Sequence, residues 1–475
     1  MMLSSVKPWC PLCESVFGLH DKLNPMAISP ARSAAFDILL RVEQGAYAVE
    51  LLHSERLDSL CAADRALCTE IVMGLERWRS VLDDVIAAQL TQPIGKLDIE
   101  VLMALRVAMY QLLFLERVPA HAAVNESVEL VKRARKRSAA PLVNAVLRKI
   151  EKTKSTGRMG GGEEKTSDKN LAKTFAHPEW LVARWITNYG IEAARRICEF
   201  DQQVPATVLR LRPQDDATQI ERELEREGVT VEPGALMRLA YRVVAGDVTK
   251  TRAFAERRIA IQDEASQLVA ALVGHGHRIL DCCAAPGGKT GAIADRNPES
   301  EILAVEVHEH RARLLRKLVP NPNVSFLNAD ARQMPLRKSF DRVLVDAPCS
   351  GTGTLARNPE IKWRIKPNDL AELQQRQTEL LIAAAEHAES GGRLIYATCS
   401  LEPEEGEHVI ERVLEQHGNL KLLDMRGELE RLRDEGELVW RDLGSLVRGN
   451  FLRAIPGVHR CDGFFAAVLQ KRERA

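Results

Sequence analysis

The chain reads as a multidomain protein: an all-α segment first, a small α+β module next, and a C-terminal α/β domain built on a mainly parallel sheet. Three observations predict this. Helical periodicity without strand signals fills the first third of the chain. A Gly-, Lys-, Ser- and Glu-rich stretch centred on Gly160-Gly161-Gly162 interrupts it. From Ile261 onward, apolar runs alternate with helical ones at the spacing of repeated βα units. With 475 residues, 45% of them hydrophobic, the chain has apolar material for more than one core.

Residues 1–25 form a leader with no helical period, expected to be loose. Its Cys10 and Cys13 make a lone C-x-x-C, two ligands short of a closed zinc site, and no metal site is expected. Residues 26–152 are helical: Ala34, Ile38, Leu39 and Val42 recur on one face, as do Ile71, Val72 and Leu75, then Leu102, Leu105, Met109, Leu112 and Leu113. Lys132, Arg133, Arg135, Lys136 and Arg137 are the densest basic cluster in the chain. They read either as a solvated helix face or as contacts to phosphate. Residues 153–172 read as a flexible linker, and 173–260 as a small α+β module with a helix at Trp180–Trp185 and a strand at Thr207–Leu211.

The remaining residues, 261–475, carry the chemistry. Strands are expected at Arg278–Cys283, Glu301–Val307, Asn323–Asn328, Asp341–Asp346 and Gly392–Thr398. Apolar on both faces, they imply a parallel sheet covered on both sides, with ligands at the carboxyl ends of the strands. A closing hairpin at Asn450–Ala454 and Gly463–Val468 would complete seven strands.

Composition excludes several classes. No apolar run reaches the roughly 18 residues of a membrane span, and no secretory pattern opens the chain, so a cytoplasmic protein without membrane attachment is expected. Ten cysteines, sparse and irregular, do not make a disulfide framework and suit a reducing compartment. Lys+Arg equals Asp+Glu at 66 each, so any contact with a polyanion must be local.

The turn Cys283-Ala284-Ala285-Pro286-Gly287-Gly288-Lys289 follows the first strand of this domain. Gly288-Lys289-Thr290 imitates the end of a phosphate-binding loop, but that motif needs glycine where Cys283 stands. A tight glycine turn instead lets the backbone approach a bulky ligand. Glu306, ending the second strand, is placed for a ribose diol, and Asp330, after the third, for an adenine amino group. Together they argue for an adenosine-containing cofactor. Cys349 and Cys399, fifty positions apart, each follow an apolar strand; Cys198, Cys282 and Cys461 read as buried packing residues.

Asp281–Thr290, Asp346-Ala347-Pro348-Cys349-Ser350-Gly351-Thr352-Gly353, Tyr396-Ala397-Thr398-Cys399-Ser400-Leu401 and Asp462-Gly463-Phe464-Phe465 resemble successive motifs of the RNA cytosine-5 methyltransferases. The likeness covers some 200 residues. The stretch Pro119–Lys132, with Asn144–Arg148, resembles the RNA-binding helical domain of the NusB antitermination factor. The combination implies S-adenosylmethionine as cofactor, with the turn, Glu306, Asp330 and Asp346 around it, and small-subunit ribosomal RNA as substrate. No obligate protein partner is implied. Glu306 departs from the family's usual Asp but keeps a carboxylate for the ribose.

The chemistry explains why two thiols occur. C5 of cytosine is a poor nucleophile, and adding a thiolate to C6 turns C5 into an enamine-like carbon that attacks a methyl group. Cys399 is the expected nucleophile and Asp346 the group hydrogen-bonding N3. The resemblance assigns Cys349 to proton removal or enzyme release and places Lys289 in the site, where its cation favours a thiolate. DNA cytosine-5 enzymes place their nucleophile in a Pro-Cys pair, which would make Cys349 the attacking group instead. Arg357, Lys362 and Arg364, around Trp363, are expected to line the RNA entrance. Two other readings stay open: a different RNA target such as transfer RNA, and an RNA-binding or assembly factor that has lost turnover.

Overall fold

The computed structural model describes residues 28–155, 168–337 and 339–473; the leader with Cys10 and Cys13 and most of the expected linker lie outside them. Contacts divide the chain into two units. The first runs to Val204 and takes in Leu355–Arg364; the second is Pro205–Thr354 with everything from Ile365 onward. No helix among the described residues is long and apolar enough to cross a membrane.

The first unit is helical, as its periodicity requires. Helices span Pro30–Glu43, Ala48–Leu52, Ala62–Ala87, Ile99–Phe114, Ala120–Arg133 and Ala140–Ser155. Pro30 starts the first, where a missing N–H costs nothing. Ile99–Phe114 is apolar nearly all round and is buried from Val101 to Leu112, so the others pack about it. Phe36, Leu39, Ile71, Leu75, Met103, Leu105, Leu130 and Leu147 share this core, each worth about 1.5–3 kcal/mol of apolar burial.

Helices Asp168–Thr174, Glu179–Tyr189 and Ile191–Asp201 also belong to this unit. The second unit begins at Pro205, so the helices that open the module expected at 173–260 group by contacts with the helical unit. The reason is physical: Leu181, Trp185, Ile197 and Cys198 give these helices buried apolar faces of the same kind as the helices before them.

In the second unit, β1 (Val208–Leu211), β2 (Thr230–Pro233), β3 (Ala240–Ala245) and β4 (Ile259–Ile261) form an antiparallel sheet in the order β2-β3-β1-β4. Ile220 and Leu224 of helix Ala217–Arg226 pack with Leu209, Leu211 and Ile259. The large sheet holds β5 (Arg278–Asp281), β6 (Glu301–Glu306), β7 (Val324–Asn328), β8 (Phe340–Asp346), β9 (Ala388–Thr398), β10 (Leu420–Leu422), β11 (Val447–Arg448), β12 (Phe451–Ala454) and β13 (Phe464–Lys471). Its order is β11-β12-β13-β9-β8-β5-β6-β7, with β10 on β13. The seven expected strands are present. β10 and β11, of three and two residues, are added to them and are too short to give a period-two signal.

Pairings among β5 to β9 are parallel, and β13 closes antiparallel on β9. Alternate residues feed two cores: Leu344, Ile395 and Ala397 join the side of helix Glu264–Val273, whereas Val343, Val345, Leu394 and Tyr396 join that of helices Asp369–His387 and Glu407–Gln416. Strand order reverses at β5, flanked by β6 and β8, which opens a crevice at the carboxyl ends.

Candidate active site

β5 ends at Asp281 and the chain turns sharply through Cys282–Gly287 before helix Gly288–Arg296 begins. Gly287 has φ +115°, and a Cβ there would lie 2.6 Å from Val319 Cγ2, so only glycine fits. Thr290 Oγ1 donates to Asp281 Oδ2 at 2.7 Å, clamping the helix to the strand end. Burial pushes the Asp281 carboxyl up to about 7 against the pull of that hydrogen bond. Cys282 is buried in the core, as expected, and burial raises the Cys283 thiol well above its ordinary value.

The acids sit at the next strand ends. Glu306, closing β6, is buried and accepts from His308 N at 2.9 Å. Asp330, after β7, accepts from Arg332 N at 2.9 Å and from its guanidinium at 2.7 Å, and these bonds hold it below the usual carboxylate range. One neighbour was not legible in the sequence. Gln262 lies against Gly288, its side-chain oxygen buried with no hydrogen-bond partner among the described residues. An unpaired buried acceptor beside an open glycine turn fits a ligand that brings donors of its own.

β8 and β9 run parallel with Asp346 beside Ala397, so the loops carrying Cys349 and Cys399 leave the same edge of the sheet. Their sulfurs are 3.3 Å apart. Cys349 is held well above the ordinary thiol range, first by its hydrogen bond with Cys399, then by burial and by the negative charges of Cys399 and Glu405. Lys289 Nζ donates to Asp346 Oδ2 at 2.7 Å and stands 4.7 Å from the centre of the Phe464 ring. Burial alone would lower this lysine; Asp346, with help from Cys399, reverses the effect and keeps it an ammonium. Turn, acids, cation and thiols therefore share one strand-end crevice within the second unit.

The buried carboxylate of Glu405 also escaped sequence reasoning. Its Oε1 accepts from Ser350 N at 2.8 Å and Gln377 Nε2 at 2.9 Å, and its Oε2 from the hydroxyls of Ser350 and of Ser400, the latter at 2.5 Å. The backbone is tied as closely: Gly353 N donates to Cys399 O at 2.9 Å, and Gly463 N to Gly353 O at 2.7 Å. A Cβ on Gly353 would fall 2.3 Å from Gly463 O.

The expected RNA-facing cations divide. Arg357 is half-buried. Lys362 and Arg364 do not line an entrance, which corrects their assignment. Both belong to the first unit, where Lys362 is buried and donates to Arg77 O at 2.9 Å. Arg364 donates to Val42 O at 2.7 Å and also to Ala46 O, and Trp363 Nε1 bonds Glu76 O at 2.7 Å. These side chains fasten Leu355–Arg364 to helix ends. In the basic cluster, Lys132 pairs with Glu129 at 2.7 Å, Arg133 with Asp37 at 2.5 Å and Lys136 with Asp98 at 3.0 Å; Arg135 and Arg137 are exposed. Lys132, Arg133 and Arg137 line an open hollow of about 480 Å³.

Burial pushes Lys362 down to about 7, with Arg77 adding to the push and Asp201 opposing it. Between pH 7 and the ordinary lysine value of 10.5 the unfolded chain thus carries a proton that the folded chain has shed, and stability rises with pH. The slope from this one group is at most about 1.4 kcal/mol per pH unit. Lys362→Met is expected to remove it. Denaturant unfolding of both proteins at pH 7.5, 8.5 and 9.5 checks this, since parallel stability curves exclude it.

Three family models match: "16S rRNA methyltransferase RsmB/F" over residues 270–470, the NusB family over 29–152, and the RsmF/B-like ferredoxin-like domain over 177–246. The probable ribosomal RNA small subunit methyltransferase B of Bacillus subtilis is 32% identical across 94% of this chain and 100% of its own length. Ribosomal RNA small subunit methyltransferase B of Vibrio cholerae is also 32% identical, across 94% and 98%. The crystal structure of PH0851 shares the fold, with TM-score 0.75 at 24% identity over 94% of this chain and 99% of that one. A methyltransferase homolog from Pyrococcus horikoshii gives TM-score 0.53 at 26% identity, covering 65% of this chain and 100% of its own.

Proposed function

The chain belongs to the RsmB/F family of 16S rRNA methyltransferases, and from that membership we propose that it methylates C5 of a cytosine in small-subunit ribosomal RNA through a covalent Cys399 adduct. It is an S-adenosylmethionine-dependent enzyme. The turn from Cys283 to Lys289 would hold the cofactor with Glu306 at the ribose, Asp330 at the adenine and Asp346 nearby; the bound cofactor supplies an electrophilic methyl group.

The residues divide the rest of the work. Cys399 attacks C6 as a thiolate, favoured by the ammonium of Lys289. Electron density displaced toward N3 is met by the proton shared within the Lys289–Asp346 pair. C5 becomes nucleophilic and takes the methyl group. Cys349 then assists removal of the C5 proton, and departure of the Cys399 sulfur restores the aromatic ring. The observation that carries this reading is the 3.3 Å approach of the two thiols beside that ion pair. The cytosine must leave its stack to reach them, and Arg135, Arg137 and the hollow beside them are the surface proposed for RNA phosphates.

Methyl-labelled S-adenosylmethionine and total RNA test the proposal. Label in small-subunit ribosomal RNA as 5-methylcytosine is expected; label confined to transfer RNA refutes the target, and none refutes the activity. Cys349→Ala is expected to stall after transfer and leave a protein–RNA species that survives denaturing electrophoresis.

A further inference from the structure

We propose that Glu405 is the positioning residue that assigns the two thiols their different roles, binding both cysteine loops with one carboxylate and keeping a negative charge on the Cys349 side. The inference rests on the reading above, in which Cys399 is the nucleophile and Cys349 the proton-handling partner.

Each cysteine is followed by a serine, and both serines bond the same carboxylate: Ser350 through its N–H and hydroxyl, Ser400 through its hydroxyl. The two hydroxyls are themselves 3.1 Å apart. Gln377 joins them by donating both to Glu405 Oε1 and to Pro348 O, each at 2.9 Å. The carbonyl of Glu405 accepts from Tyr396 OH at 2.9 Å and Thr398 Oγ1 at 3.2 Å, so the residue is fixed to β9, which delivers Cys399. Moving this carboxylate moves both sulfurs.

All four of these bonds to the carboxylate come from neutral donors, a pattern suited to an ionised acceptor. The nearby Arg453 bonds Ser400 O at 2.8 Å and Glu407 at 2.6 Å instead. Two sulfurs in contact do not both hold negative charge, and their surroundings are unequal. Lys289, paired with Asp346, feels the charge of Cys399, whereas Cys349 feels that of Glu405. Tyr396, which interacts with Cys349, Glu405, Cys283 and Arg453, and Asp281, which interacts with Lys289, are further titratable groups around the site. These charges hold the proton on Cys349, the thiol that is not required to attack.

Alkylation by iodoacetamide, followed thiol by thiol by peptide mass spectrometry between pH 6 and 10, reads this out without RNA or cofactor. In the unaltered protein Cys399 is expected to react at least about tenfold faster than Cys349 at pH 7. In Glu405→Gln the preference is expected to fall below about threefold as Cys349 begins to titrate in the same range. An undiminished preference in that variant overturns the proposal. Should Glu405→Gln not fold, Ser400→Ala removes one bond to the carboxylate and keeps its charge. There the preference is expected to persist while kcat drops about tenfold with KM unchanged, and an unaltered kcat overturns the proposal. Faster alkylation of Cys349 in the unaltered protein refutes the assignment of roles itself, which separates that failure from failure of the Glu405 argument.

Discussion

Cys399→Ala is expected to lower kcat for RNA methylation by roughly 10⁴-fold or more, because no other group supplies the bond to C6 that makes C5 reactive. KM for RNA and cofactor affinity should stay within about twofold, since the sulfur acts on the transition state. Deleting one sulfur from a half-buried site should cost only about 1 kcal/mol of stability, so a folded, inactive enzyme is expected. Single-turnover transfer from labelled S-adenosylmethionine measures the effect. If Cys399→Ala kept most of its activity while Cys349→Ala lost it, the Pro-Cys thiol would be the nucleophile and the roles would be exchanged.

Asp346→Asn is expected to cost about 10²–10³-fold in kcat, the range for losing a positioned proton donor or acceptor. The change has two consequences that point the same way. N3 loses its partner, and Lys289 loses the charge that offsets its burial. With the lysine's proton affinity reduced, activity should fail at a lower pH on the alkaline side than in the unaltered enzyme. A kcat–pH profile of both proteins checks this. Equal alkaline limbs would mean that the lysine ammonium is not held up by Asp346.

Much of the crevice was legible because its parts lie at strand ends, and those strands are apolar on both faces. Leu280, Val345 and Tyr396 announce buried strands, and the polar residues that follow them are then placed by topology alone. Glu405 was not legible. Glu404-Glu405-Gly406-Glu407 reads as an acidic, solvated turn, and only tertiary packing reveals that one of its carboxylates is enclosed by the two cysteine loops. Lys362 and Arg364 misled for the opposite reason. Cations beside an aromatic, a few residues after a reactive cysteine, look like a nucleic-acid surface, whereas the fold spends them on capping carbonyls of the helical unit. The helices at 168–201 carry the same amphipathic signature whichever neighbour they pack with, so periodicity locates them without saying which unit they join.

The excursion of Leu355–Arg364 into the helical unit means that the backbone passes between the two bodies three times, after Val204, Thr354 and Arg364. Beads on a string are parted by one cut; here a protease nick after Val204 leaves residues 355–364 of the helical unit on the other polypeptide, held to the rest of that unit by non-covalent contacts alone. A gene truncated to begin at Pro205 would also strand ten residues without their host, leaving the Lys362 amine and the Trp363 indole to find water instead of the carbonyls of Arg77 and Glu76.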